Sequence, residues 1–292
     1  MLSCSNLTAG SHLKNGMCVC ERWATASSEP NSKLRGMSSD LKNQQDDVRE
    51  WIEHHHKLGA SKFYVMDNNS TVPMVNQLYD FIDAGVVIYK YFVEYEHPSG
   101  YAQSWAYDQC LQRYGSSHRW MAFIDADEFL MLKQGYQQLP DLLREYEMHA
   151  ALAVNWLVFS SSGHIRKPQG STLQNYQHCF PTDNGVNRHV KIIANTQYTV
   201  EAGGTPHEFV YSEGKHAVDA AFNKVDSPFT KTVQADKVVL HHYVLKSLQE
   251  FESKMLRGAA HGTLVKDLNF FWMIDTQATE LCLQAAGSMQ VL

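Results

Sequence analysis

The sequence predicts an α/β fold, a mostly parallel sheet flanked by helices, with an irregular C-terminal half. Three observations carry that expectation. Short apolar runs rich in β-branched and aromatic residues alternate with stretches of helical period over residues 46–124. The links between them are brief and carry Gly, Asp and Asn, as tight turns require. The 292 residues are 44% apolar and 19% charged, which suits a packed core and argues against global disorder. Strand and helix in alternation are the pattern of a parallel sheet covered on both faces.

The elements follow in order. Residues 1–40 are rich in Ser, Asn and Gly without a period and predict an irregular or disordered tail. Val48, Trp51, Ile52, His55 and Leu58 share one helical face. Asp46 and Asp47 suit that helix's positive end, and Gly59 its C-terminus. The run Lys62–Met66 predicts a strand, stopped by the turn cluster Asp67-Asn-Asn-Ser70. Pro73 opens a second helix carrying Met74, Val75, Leu78, Phe81 and Ile82, closed near Gly85. Val86–Phe92 predicts a strand, residues 101–114 a helix, and Trp120–Ile124 another strand. Residues 140–147 look helical and Ala150–Phe159 reads as a buried strand. Further strands are expected at 189–194, 208–211 and 237–244. An amphipathic helix follows through Leu248, Phe251 and Met255. One domain over 41–265 results, with a helical extension at 266–292.

Charge and composition exclude several classes. Lys plus Arg number 25 against 31 Asp plus Glu, without a basic stripe, which argues against duplex DNA. No stretch approaches the roughly 18–20 apolar residues of a membrane span, and the first 30 residues lack the apolar run of a signal peptide. The chain as written is expected to be soluble. The six cysteines read as free or buried thiols, and Cys18-Val-Cys20 lacks a second ligand pair at zinc-finger spacing. Asn6-Leu-Thr and Asn69-Ser-Thr fit the glycosylation sequon, a triplet common by chance.

The chemistry concentrates in Met121-Ala-Phe-Ile-Asp125-Ala-Asp127-Glu128-Phe129, where an apolar strand runs into Asp-x-Asp. Residues two apart on an extended chain point to one side, so Asp125 and Asp127 are expected to converge. Two converging carboxylates repel unless a cation sits between them, and hard oxygens select Mg²⁺ or Mn²⁺. The position is also right, because open α/β sheets bind ligands beyond the carboxyl ends of their strands. The bland alternative is a polar strand terminus. Asp67 reads either as a turn residue or as a hydrogen-bond partner of a base or ribose. His54-His-His56 is expected to be mostly solvated, and His207-Glu208 lacks the second histidine of a metalloprotease helix. His241-His242 ends a strand and either completes a metal shell or is structural.

The blocks Val48-Arg-Glu-Trp-Ile, His56-Lys-Leu-Gly59, Phe63-Tyr-Val-Met-Asp67-Asn-Asn-Ser70 and Trp120–Leu130 resemble glycosyltransferase family 92. Asn155–His164, His241–Ser247 and Arg257-Gly258 are similar to later motifs of those enzymes, in consistent order over about residues 42–260. The resemblance implies a GT-A fold and a metal-dependent, inverting transfer from a nucleotide sugar, with UDP favoured and galactose plausible, to a glycan acceptor. Carried over by position, Asp125 and Asp127 hold Mn²⁺ (or Mg²⁺) and the diphosphate, with His242 as third ligand and His241 as the fallback. Asp67 contacts the nucleoside, while Lys42, Asn43 and Gln103 border the donor pocket. Trp156, Ser162 and His164 line the acceptor side. Inversion needs a carboxylate to take the acceptor's proton. Glu208 is the first choice and Asp226 the second, and either also reads as a surface acid. A Golgi or endomembrane lumen is implied, with membrane association only through an anchor missing from this chain.

Two departures stand out. Residues 31–41 offer only Leu34, Met37 and Leu41 where family members carry an apolar strand, so that strand is expected to be missing or degraded. The missing anchor and the missing strand together predict a fragment or a misassigned start. Two other functions compete. A haloacid-dehalogenase-type phosphatase also places Asp-x-Asp after a strand, but wants Thr or Val where Phe129 stands. A degenerate transferase would act as a non-catalytic carbohydrate-binding or scaffold protein.

Overall fold

Alternating apolar runs need partners on both faces, and the chain supplies them in the predicted order. The computed structural model of the protein describes residues 37–38, 44–93, 96–257 and 267–283. The N-terminal strands are β1 (Met37–Ser38), β2 (Phe63–Asn68), β3 (Val87–Phe92) and β4 (Trp120–Phe123). Next come β5 (Glu128–Leu132), β6 (Ala151–Val158), β7 (His178–Cys179), β8 (Val190–Asn195) and β9 (Thr199–Ala202). The last are β10 (Phe209–Tyr211), β11 (Ala217–Val218), β12 (Lys224–Val225), β13 (Val238–His242) and β14 (Glu280–Leu281). Helices α1 (Val48–Lys57), α2 (Tyr79–Asp83), α3 (Ala102–Tyr114) and α4 (Leu139–Leu143) belong to the first half. Helices α5 (Thr172–Asn175), α6 (Leu248–Arg257) and α7 (Leu268–Gln277) belong to the second.

The main sheet runs β12-β11-β6-β8-β4-β1-β2-β3, and β13 adds to it beside β6 and carries β5. The segment β4-β1-β2-β3 is parallel, as the strand–helix alternation predicts. Strand β8 breaks that pattern by lying antiparallel between β4 and β6. The sheet is therefore parallel on its N-terminal side and mixed beyond β4.

The short first strand is present. Met37 pairs with both Phe63 and Ala122, and Ser38 pairs with Phe123, so β1 lies in the sheet's middle. Met37 is fully buried. These two residues fall within the stretch that the sequence leaves to an irregular tail. A strand of two residues shows no period, which is why composition missed it. Lys42 and Asn43 lie outside the described residues.

Strand β5 was not anticipated, and it matters most for the site. It pairs antiparallel with β13, setting Glu128 opposite His242 and Leu130 opposite Leu240. The link from β4 is a tight turn in which Glu128 N donates to Asp125 O at 3.0 Å. Asp125 and Asp127 thus sit on a turn, not on the extended chain assumed for them.

Helix α1 is stapled to β5 by histidines expected to be solvated. His54 Nε2 lies 2.8 Å from Leu130 O, and Leu130 N donates to His55 Nε2 at 3.1 Å. His54 and His55 are buried, and only His56 is exposed. Burial pushes the pKa of both buried rings down.

The C-terminal segment is locked to the domain. Phe271 and Ile274 of α7 pack with Phe251 of α6 and with Val158, Phe180 and Val244. Strand β14 pairs antiparallel with β7, and a disulfide joins Cys179 to Cys282 across 103 residues. These two cysteines are therefore bonded rather than free thiols. Among the described residues, no helix is long and apolar enough to cross a membrane.

Candidate active site

Four strands deliver the charged groups. The β4–β5 turn carries Asp125 and Asp127, β5 opens with Glu128, β8 contributes Lys191, and β13 ends on His242. Alternation along β13 separates its two histidines. His241 packs its ring against Phe159, at 4.6 Å between centroids, and burial lowers its pKa to about 3. It is a neutral core residue. His242 faces the turn, with Nε2 3.7 Å from Asp127 Oδ1 and Nδ1 4.0 Å from Glu128 Oε1.

Asp125 is pinned. Gln103 Nε2 of α3 donates to its Oδ1 at 2.6 Å and to the Tyr107 hydroxyl at 2.9 Å. Lys191 Nζ stands 3.0 Å from its Oδ2 and 3.8 Å from Glu128 Oε2. Asp125 N also donates to Glu128 Oε2 at 2.7 Å. Burial works against the charge of Lys191, but Asp125 and Glu128 outweigh it and hold that pKa above the ordinary lysine range. Burial likewise pushes the Glu128 carboxyl well up, against the pull of Lys191. Glu128 Oε1 is buried without a hydrogen-bond partner.

Asp127 is held from a different side. Lys254 Nζ of α6 lies 2.5 Å from its Oδ2 and 3.2 Å from Val244 O. The backbone carbonyl of Asp127 accepts from Tyr243 N at 2.8 Å. Asp127 and Lys254 open onto a cavity of about 290 Å³, walled also by Tyr243, Lys246, Asp47 and Lys167. Lys246 takes φ 54°, a left-handed backbone that its 2.9 Å pair with Asp47 helps to hold.

The other expected site residues divide. Trp156 joins the network: its ring lies 4.3 Å from His242 and stacks on His189 at 4.6 Å, with His207 edge-on at 5.4 Å. Asp67 is fully buried and accepts from Ser70 N, Met74 N and the Tyr89 hydroxyl at 3.0, 3.1 and 2.6 Å, closing the loop after β2. Ser162 Oγ accepts from Gln177 N and His178 N at 2.8 and 3.0 Å, which braces a loop. His164 Nε2 lies 3.2 Å from Asn175 O. Glu208 accepts from Thr205 Oγ1 at 3.1 Å in the β9–β10 turn. Asp226 is an exposed partner of Lys224 at 2.8 Å. Among the described residues, these last two acids pair with Thr205 and Lys224, in loops apart from the Asp125–Asp127 turn.

Three contributors were not foreseen. Glu128 follows the Asp-x-Asp directly, and Lys191 is a lone charge inside the apolar run Val190–Ala194. Both are readable signals in hindsight. Lys254 is 127 residues from its partner Asp127 and carries no local signal.

The donor set can be tested against a divalent cation. Two donors each about 2.1 Å from one ion stand about 3 Å apart. The Asp127–His242 pair at 3.7 Å needs only a small closure to reach that. The orphaned oxygen of buried Glu128 backs the same imidazole. Among the described residues, no three His, Cys, Asp or Glu side chains stand together as a finished cage. Ions that work on phosphates take one or two carboxylates and leave the remaining positions to substrate and water. Asp127 and His242 supply the one carboxylate and one imidazole that such a site would use.

The sequence profile of glycosyltransferase family 92 matches residues 40–257. The chain belongs to that family. A family 92 protein of Oryza sativa subsp. japonica is 31% identical over 140 residues, covering 47% of this chain and 23% of that protein. A family 92 protein of Ricinus communis is 25% identical over 246 residues, covering 80% of this chain and 40% of its own length. This family 92 chain thus spans less than half the length of either relative. A crystal structure of S. aureus TarS, residues 1–349, aligns with 70% of this chain and 58% of that one, at 12% identity and a TM-score of 0.37.

Proposed function

We propose that this chain is an inverting glycosyltransferase of GT-A type that moves a sugar from a UDP-linked donor to a glycan acceptor, with Mn²⁺ or Mg²⁺ bound. The observation that carries the reading is the Asp127–His242 pair, 3.7 Å apart, whose Asp127 lines a cavity beyond β4. Family membership supports the class of reaction, not the identity of the sugar.

Asp127 and His242 would hold the ion, which supplies charge stabilisation for the departing diphosphate. Asp125, fixed by Gln103 and Lys191, would keep one orientation toward the donor. Asp67 lies at the end of β2 on the same carboxyl edge and would shape the nucleoside side through the loop it closes. Glu208 is the preferred base for the acceptor hydroxyl. It neighbours His207, whose ring abuts Trp156, which in turn touches His242. Asp226 is the weaker choice, because it is exposed and already paired. Ser162 and His164 would support the acceptor side by holding the loop that follows β6. The Cys179–Cys282 bond supports an oxidising compartment, as the Golgi or endomembrane lumen would be.

A second reading has one observation of its own. Lys191 and Lys254 already neutralise Asp125 and Asp127, as a non-catalytic carbohydrate-binding protein would tolerate. A panel of nucleotide sugars, scored for released nucleoside diphosphate, separates the two. The enzyme reading expects release from one UDP-sugar that needs Mn²⁺ and falls at least about 100-fold in Asp127→Asn. The binding-protein reading expects no release from any donor.

A further inference from the structure

Three lysines face the cavity beside Asp127, and their commitments differ. Lys246 Nζ is 2.9 Å from Asp47, and Lys167 Nζ is 3.1 Å from Asp46 and 3.4 Å from Asp47. Both are answered by acids at the start of α1. Lys254 is answered by Asp127, at 2.5 Å. That is the very carboxylate assigned above to the ion. One carboxylate cannot serve an ammonium at Oδ2 and a dication at Oδ1 equally well, because the two positive charges repel across it.

We infer that Lys254 is an exchange residue: it pairs with Asp127 until a divalent ion takes that carboxylate, and then pairs with the donor's diphosphate. This rests on the metal-dependent reading given above. The geometry provides for both positions. Val244 O, 3.2 Å from Nζ, retains the ammonium at the cavity wall when Asp127 is taken. The side chain is partly exposed, at 26%, so its end has room to turn into the cavity. A diphosphate then supplies the anion that Lys254 has lost, at the moment the ion needs phosphate oxygens to complete its own shell. Lys254 therefore opposes the ion alone and favours the nucleotide once the ion is bound. The two ligands become positively coupled through one side chain, without a moving domain.

The test uses the whole chain and two probes. Free Mn²⁺ is followed by its paramagnetic resonance signal, and UDP is titrated by calorimetry in saturating Mn²⁺. Lys254→Met is expected to bind Mn²⁺ alone more tightly and UDP more weakly, each on the order of tenfold. Lys254→Arg, which keeps the charge, should restore most of the UDP affinity. Lys167→Met removes a charge from the same cavity without touching Asp127 and controls for a general field. The inference is overturned if Lys254→Met leaves Mn²⁺ affinity unchanged or lowers it, or if Lys167→Met tightens Mn²⁺ equally. It is also overturned if UDP affinity survives the loss of Lys254. Asp127→Asn monitors the underlying reading separately. If the unsubstituted chain takes up no Mn²⁺, or Asp127→Asn takes it up as well, the metal reading fails and the exchange falls with it.

Discussion

Asp125 and Asp127 lie two residues apart, yet the structure treats them differently. Asp125 is clamped by Gln103 and by Lys191, a lysine with only 1% of its side chain exposed. Asp127 is met by a partly exposed lysine on a surface helix and by an imidazole 3.7 Å away. The first arrangement is a frame, and the second is a contact that can be exchanged. A short acidic motif is therefore held in two ways, one carboxylate by a buried lysine and an amide, the other by a half-buried lysine of α6.

The sharpest way to break this contrast is to neutralise each acid in turn. Asp127→Asn is expected to cut turnover at least about 100-fold and to cost less stability than Asp125→Asn, since the lysine it leaves, Lys254, is 26% exposed while Lys191 is 1% exposed. Asp125→Asn leaves buried Lys191 with Glu128, at 3.8 Å, as its remaining carboxylate partner among the described residues, and is expected to lower unfolding free energy by about 2–3 kcal/mol. Urea unfolding of both variants measures the difference. Equal stability losses would mean that the frame and the exchangeable contact are not distinct.

Glu208→Gln sharpens the contrast from the acceptor side. As the proposed base, it should lose about 100-fold in kcat, while UDP affinity in Mn²⁺ stays within about twofold. Loss of UDP affinity instead would place Glu208 on the donor side.

A pH dependence follows from the buried histidines of α1 and β13. His54, His55 and His241 are buried with depressed pKa values, the last at about 3. The unfolded chain binds a proton at each below pH about 6.5, and the folded chain does not until the pH falls much further. Their contribution is thus complete above pH about 6.5 and is lost on acidification toward the folded values. Each can remove up to about 1.4 kcal/mol per pH unit below that point. Urea midpoints between pH 7 and 5 should fall accordingly, and His241→Phe should flatten the slope. An unchanged slope in that variant would mean that His241 gains its proton without unfolding.

How much of this was legible in the sequence depends on length and locality. Elements α1, β2, β3, α3 and β4 announce themselves by long periodic runs and sit within a residue or two of their predicted limits. Strand β1 contributes two residues to the sheet's middle, too few to show a period. Strand β5 was hidden behind the acidic turn that it follows, and with it went the register that places Glu128 opposite His242. The choice of an extended chain for Asp125-Ala-Asp127 failed for the same reason, because a turn leading to β5 bends it. The carboxyl-edge position of the motif was readable from the strand before it. The lysines were less so: Lys191 reaches Asp125 across 66 positions and Lys254 reaches Asp127 across 127, and only folding brings these pairs together.

The most direct test of the central claim is calorimetric titration of the intact chain with UDP, with and without Mn²⁺, beside Asp127→Asn and His242→Ala. The account predicts binding that requires Mn²⁺, disappears with a chelator and is lost in both variants. UDP binding that ignores the chelator and survives both substitutions would contradict it, as would no binding under any condition.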